Sequence, residues 1–150
     1  MVKPVITWIL VADAARARIV CNDGVGHGIT DVPGAEFENE IVRDRDVYAD
    51  RPGRVHESAT TGRHAMARTS DPKQQSAASF ARSISNHLTG SAAKGAFDRL
   101  VLIAEPTFLG HLRAALPKKT SEAVTAEIAK DLTHARNDVL VKQLAGVLAV

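Results

Sequence analysis

The sequence predicts a mixed α/β domain built around a five-stranded mixed sheet. Two continuous apolar runs, residues 5–12 and 100–104, are rich in branched aliphatic side chains and are typical of strands buried on both faces. Helical periodicity separates the later strands, as in parallel strands joined by crossover helices. At 150 residues, with 45% hydrophobic and 24% charged side chains, the chain has the composition of one domain with one core. We therefore expect residues 1–150 to form a single domain.

The first half of the sheet is predicted to be an antiparallel meander. The run at 5–12 is placed at the centre of the sheet because it is apolar throughout. Residues 16–21 alternate in polarity and form its hairpin partner. Asparagine and glycines at 22–28 favour a tight turn. A third strand is expected within 29–41, interrupted by Pro33 and Gly34.

The second half alternates helices and strands. A helix is predicted to begin at Pro72, because Asp71 suits an N-cap and Gln74 is spaced to complete a capping box. We expect this helix to end at Gly90. The strand at 100–104 is followed by a helix that begins at Glu105 and Pro106 and ends at Pro117.

The last elements are a half-exposed strand and a terminal helix. Alternating polarity predicts the strand at 124–129. The helix is expected to be capped by Asp131 or Thr133 and to run to the end of the chain, with leucines at helical spacing. The predicted order is β-β-β-α-β-α-β-α with the first strand central, which is a ribonuclease-H-like topology.

Residues 43–70 are predicted to form a long exposed loop, because they lack apolar periodicity. Between residues 43 and 73 there are seven basic and five acidic side chains, and the difference, +2, equals the formal charge of the whole chain. The basic surplus therefore lies in this segment. Arg51 and Arg54 flank a Pro-Gly turn, and Gly62, Arg63 and His64 form a second group. An arginine guanidinium can donate two parallel hydrogen bonds to a phosphate or a carboxylate.

Several short motifs together resemble the bacterial host-attachment protein family. In order along the chain they are WILVADAARAR at 8–18, DRPGR at 50–54, GRHAM at 62–66, DPK at 71–73, PTFLGHLR at 106–113 and KDLT at 130–133. The motifs are individually short, but their order and spacing extend over about 120 residues. The family is more distantly similar to the middle domain of archaeal and eukaryotic class I release factors.

The release-factor resemblance implies a ribosomal or RNA partner for the loop at 43–70. In release factors the corresponding loop carries Gly-Gly-Gln, whereas this chain has Thr61-Gly62-Arg63-His64 and no Gly-Gly-Gln. The departure weakens an expectation of peptidyl-tRNA hydrolysis. We expect a non-enzymatic RNA- or ribosome-binding protein, with Arg51, Arg54, Gly62, Arg63 and His64 as the contact residues.

Catalytic alternatives rest on few residues. A ribonuclease-type metal centre requires converging carboxylates; Asp13 and Glu105 end two strands, but residues 72–89 contain no acidic side chain. The histidines show no metal-ligand spacing, and the single cysteine, Cys21, excludes a disulfide and a cysteine-based zinc site. We expect no metal or other cofactor, and Asp13 is interpreted as a turn or capping residue. His64 is the candidate for a catalytic group.

Three hypotheses follow: RNA or ribosome binding, loop-mediated peptidyl-tRNA hydrolysis or ribosome rescue, and regulation of surface attachment through a protein partner. The amino-terminal apolar run is too short to cross a membrane and has no cleavage pattern after it. A cytoplasmic location is therefore expected. The partner surface of a regulatory protein would be a helix face or an edge strand.

Overall fold

The computed structural model describes residues 3–42 and 71–150. The predicted loop at 43–70 lies outside the described residues. Strands are β1 (Thr7–Ala12), β2 (Arg16–Asn22), β3 (Thr30–Glu38), β4 (Arg99–Ala104) and β5 (Val124–Ile128). The helices that follow residue 71 are α1 (Pro72–Ala93), α2 (Pro106–Ala115), α3 (Lys118–Glu122) and α4 (Asn137–Leu144). α3, a short helix between α2 and β5, was not predicted.

The five strands form one mixed sheet in the order β3-β2-β1-β4-β5. β1 pairs antiparallel with β2 and parallel with β4, and Thr7 lies opposite both Asn22 and Arg99. β2 pairs antiparallel with β3, and β4 pairs parallel with β5. The prediction of a mixed α/β fold with a five-stranded mixed sheet is confirmed. All six residues of β1 are buried, as expected for a strand with neighbours on both sides and helices on both faces.

Alternate residues of β1 face two different cores. Trp8 and Leu10 pack with Phe80 and Ile84 of α1 and with residues of α2. Ile9 and Val11 pack on the opposite face with α4. The sheet is thus the middle of three layers, since successive side chains of a strand point to opposite faces.

β3 is irregular where the sequence contains Pro33 and Gly34. The pairing with β2 shifts register between Arg18 and Val20, and Gly34 has a φ of 73°. A proline donates no ladder hydrogen bond and is tolerated on an edge strand or at a bulge. The predicted interruption of the third strand is therefore a bulge on the outer strand.

The predicted end of α1 at Gly90 is wrong. The helix continues to Ala93, and Gly95, with a φ of 74°, follows its last turn. The amides of Gly95 and Ala96 donate to the carbonyls of Ala92 and Ser91 at 3.0 Å. Gly95, which adopts the left-handed conformation that favours glycine, is the residue that ends the helix.

The predicted cap of the last helix is also wrong. α4 begins at Asn137, not after Asp131 or Thr133, and ends at Leu144. The Asp131 carboxylate accepts hydrogen bonds from the amide and the hydroxyl of Thr133, at 3.2 Å and 2.7 Å. These two side chains stabilise the turn that precedes the helix.

Candidate functional site

All five predicted contact residues lie outside the described residues: Arg51, Arg54, Gly62, Arg63 and His64. The two flanks of their segment, however, meet in the structure. The buried Asn39 side chain, just after β3, donates to the Ala14 carbonyl and to the Ser76 hydroxyl, each at 3.0 Å. Asn39 therefore joins the turn after β1 to the first turns of α1.

A polar cleft of about 350 Å³ lies beside these flanks. It sits where β1 and β4 end and where α1 and α2 begin. In open α/β sheets, the carboxyl ends of the strands are where ligands usually bind. The cleft is lined by Ala14, Lys73, Gln74, Ala77, Glu105, Thr107, Phe108 and His111.

Carboxylates cap both helices at this cleft. Asp71 accepts from the Lys73 amide at 3.0 Å, as predicted for the start of α1. Glu105 accepts from the amides of Thr107 and Phe108, at 3.1 Å and 2.7 Å. The first free amides of the two helices are therefore partly satisfied by the protein's own carboxylates.

Gln74 does not complete the predicted capping box. Its Oε1 lies 2.8 Å from Nε2 of His111, which links α1 to α2 across the cleft. With the amide oxygen as acceptor, a neutral His111 carries its proton on Nε2, and Nδ1 is left as the acceptor. The link fixes the orientation of the imidazole at the rim.

Lys73 and Thr107 supply the remaining polar side chains of the cleft. Both are exposed, and the part of the chain that the structure describes offers no hydrogen-bond partner to either side chain. An ammonium, a hydroxyl and an imidazole suit an anionic or strongly polar ligand. Sequence reasoning missed this group, although Lys73, Thr107 and His111 all fall within motifs that carried the family resemblance.

Asp13 is a turn residue, as interpreted from the sequence. Its Oδ1 accepts from the amides of Ala15 and Arg16 at 2.8 Å, and its Oδ2 lies 3.2 Å from the Thr133 hydroxyl. Hydrogen bonding from Thr133 lowers the pKa of Asp131, the other carboxyl beside that hydroxyl. Asp13 and Glu105 are thus both engaged by backbone amides.

Cys21 is partly buried and packs against the core on the α1 side of the sheet. Burial, followed by the nearby Asp23 carboxylate, raises the pKa of its thiol. A raised pKa keeps the group as the less reactive thiol at neutral pH. Within residues 3–42 and 71–150, no three histidine, cysteine or acidic side chains are grouped closely enough to hold a metal ion.

Together these features define a three-layer α/β protein with a polar cleft at the carboxyl ends of two central parallel strands. The chain belongs to the family described as "Protein required for attachment to host cells", whose match covers residues 8–144. No curated protein matches the chain. None of the helices in the described ranges is long and apolar enough to span a membrane.

Proposed function

We propose that this host-attachment family protein binds RNA, foremost on the ribosome, through the segment at 43–70, without catalysing a reaction. The observation that carries the proposal is the convergence of the two flanks of that segment at the cleft. Asn39 and Ser76 are in contact there, and Lys73 lies about one helical turn before Ser76. The described residues that flank a segment with the whole formal charge surplus of the chain therefore lie beside further polar groups.

The strand order supports the more distant resemblance. The sheet has the order β3-β2-β1-β4-β5: β1 to β3 are antiparallel, and β4 and β5 are parallel to β1. This arrangement fits the proposed ribonuclease-H-like topology. A release-factor middle domain uses the loop between its third strand and first long helix. Residues 43–70 occupy the same position in this sequence, between β3 and α1.

The carboxylates favour binding over metal-dependent cleavage. Asp13 and Glu105 each accept two backbone amides, and the described part of α1 adds no acidic side chain. Two-metal phosphoryl transfer needs several carboxylates aimed at shared ions. We therefore assign these two residues to structure and the RNA contacts to arginine and histidine.

Sedimentation with ribosomes over a salt series tests the proposal. We expect wild-type protein to co-sediment at about 50 mM salt and to be released as salt approaches about 500 mM, because phosphate contacts displace counterions. The variant R51A/R54A/R63A/H64A should lose binding. The control variant R82A/K94A/K118A also removes three positive charges, but from exposed positions outside the segment. It should bind like wild type.

Two other results would contradict non-enzymatic ribosome binding. Absence of co-sedimentation at low salt would contradict the translation hypothesis and favour a regulatory protein that acts through a protein partner. Binding accompanied by release of peptide from peptidyl-tRNA would contradict the non-enzymatic part. An H64A variant would then show whether His64 carries that reaction.

A further inference from the structure

The polar cleft at the carboxyl ends of β1 and β4 has an apolar floor. The floor is formed by Ala14, Ala77 and Phe108, of which Ala77 and Phe108 are buried. Two of these three side chains are single methyl groups, which leaves room for a flat ligand against them. The volume of about 350 Å³ lies within the range of small-molecule sites, about 300 to 1,000 Å³. The cleft is therefore large enough for a single heterocyclic ring and its attached sugar.

The rim of the cleft carries both hydrogen-bond donors and hydrogen-bond acceptors. The donors are the Lys73 ammonium and the Thr107 hydroxyl, and the acceptors are the Glu105 carboxylate and Nδ1 of His111. The charge of Lys73 is matched by that of Glu105, and Asp71, which caps α1 beside the cleft, adds a second carboxylate. This balance disfavours a phosphate or another anion. It favours a neutral ligand that donates and accepts hydrogen bonds.

His111 adds a positioned aromatic ring to the rim. Its Nε2 lies 2.8 Å from Oε1 of Gln74, and its ring centroid lies 6.4 Å from that of Phe108, with 55° between the two planes. Because one helix holds the imidazole by a hydrogen bond and the other by a ring contact, little ordering remains to be done when a ligand binds. An imidazole is one of the rings on which unpaired bases stack.

We propose that the cleft binds a nucleobase, whose ring lies against the apolar floor and His111. Its polar edge meets Lys73, Thr107 and Glu105. A nucleobase matches the cleft because its faces are apolar and its edge carries both donors and acceptors, whereas a phosphate or a sugar has no such face. The inference rests on the proposed RNA function for the source of the base: Lys73 closely follows the segment at 43–70, so a strand that contacts the segment can reach the cleft. A free nucleoside has the same chemistry, and the test separates the two sources.

Titration with adenosine, guanosine, cytidine and uridine, followed by amide NMR, tests the nucleobase site. At least one nucleoside should bind with a Kd of about 1 mM and shift amide signals at the starts of α1 and α2. Ribose 5-phosphate, which lacks the base, should not bind. H111A and T107V should each weaken nucleoside binding about tenfold. The matched controls H134A and T125V change exposed residues outside the cleft and should bind like wild type.

A single-stranded RNA of about eight nucleotides that contains the preferred base separates the two sources. It should bind more tightly than the nucleoside, and the variant R51A/R54A/R63A/H64A should lose that gain, because the arginines contact phosphates. An RNA that bound no more tightly than the nucleoside would contradict the proposed RNA function, while the nucleobase site would stand with the free compound as its ligand.

Three results would overturn the nucleobase site and leave ribosome binding through the arginines intact. The first is the absence of amide shifts with all four nucleosides at about 2 mM. The second is nucleoside binding that H111A and T107V leave unchanged. The third is binding of ribose 5-phosphate in place of the nucleosides, since the cleft would then be a site for anions.

Discussion

Thr133 connects two carboxylates that lie far apart in the sequence. Its hydroxyl is 2.7 Å from Oδ1 of Asp131 and 3.2 Å from Oδ2 of Asp13, which is 120 positions away. The turn after β1 is thereby attached to the segment that leads into α4. Because one hydroxyl donates one proton, the shorter distance identifies Asp131 as its main acceptor.

Replacing Thr133 with valine should raise the pKa of Asp131. The folded-state pKa is lowered chiefly by the Thr133 hydroxyl, so the carboxylate stabilises the fold above its unfolded pKa, and this contribution is lost as pH falls through the folded value. The stability difference between wild type and T133V should therefore shrink on acidification. Carboxyl titration by NMR measures the shift, and T133S, which keeps the hydroxyl, should restore it. An unchanged Asp131 titration in T133V would contradict this account.

Removing the cap of α2 should destabilise the protein by about 1 kcal/mol. Glu105 accepts two amides at the start of that helix, and alanine would leave both without this partner. Urea unfolding of E105A measures the loss. E105Q keeps an acceptor oxygen and should fall between E105A and wild type. Equal stability of all three proteins would show that water replaces the carboxylate without cost.

Alanine substitutions at two glycines near the end of α1 should change the free energy of unfolding in opposite directions. Gly90 lies within the helix, and a Cβ built there meets no atom within 4 Å. G90A should therefore increase the free energy of unfolding by about 0.5 to 1 kcal/mol. Gly95 has a φ of 74°, so G95A should lower the free energy by a similar amount. Urea denaturation compares the two variants, and a stabilising G95A would contradict the assigned end of the helix.

Loss of Asn39 should weaken the junction between β3 and α1. Alanine would leave the Ala14 carbonyl and the Ser76 hydroxyl without their donor, which should cost about 1 to 3 kcal/mol. S76A should cost less, because Asn39 would still donate to Ala14. The exposed S79A provides a control close to wild type. If S76A were as destabilising as N39A in urea unfolding, the bond to Ala14 would contribute little.

Much of the fold could be predicted because its strongest signals are local. The apolar runs identified β1 and β4, and the Asp71-Pro72 pair located the start of α1. The end of α1 could not be located in this way. Both Gly90 and Gly95 suit a helix end by composition, and only the backbone conformation shows which adopts a positive φ. Similarly, Asp131 and Thr133 have cap chemistry but bond to each other.

The cleft could not be predicted from local pattern. Its residues come from the turn after β1 and from the first turns of two helices, so they become neighbours only through the parallel pairing of β1 with β4. His111 and Gln74 are 37 positions apart. The segment at 43–70, which carries the site expected from the sequence, lies outside the described residues, and its assignment stays a prediction.

The position of β1 also determines when the chain can fold during synthesis. Ile6 donates to Asp98 across 92 positions, so the parallel neighbour of β1 leaves the ribosome long after β1 itself. At about 5 to 20 residues per second, the delay is roughly 5 to 20 s. Throughout this interval the nascent hairpin presents an unpaired apolar strand edge. The growing chain is therefore most prone to aggregation, and most dependent on chaperones, before residue 104 emerges.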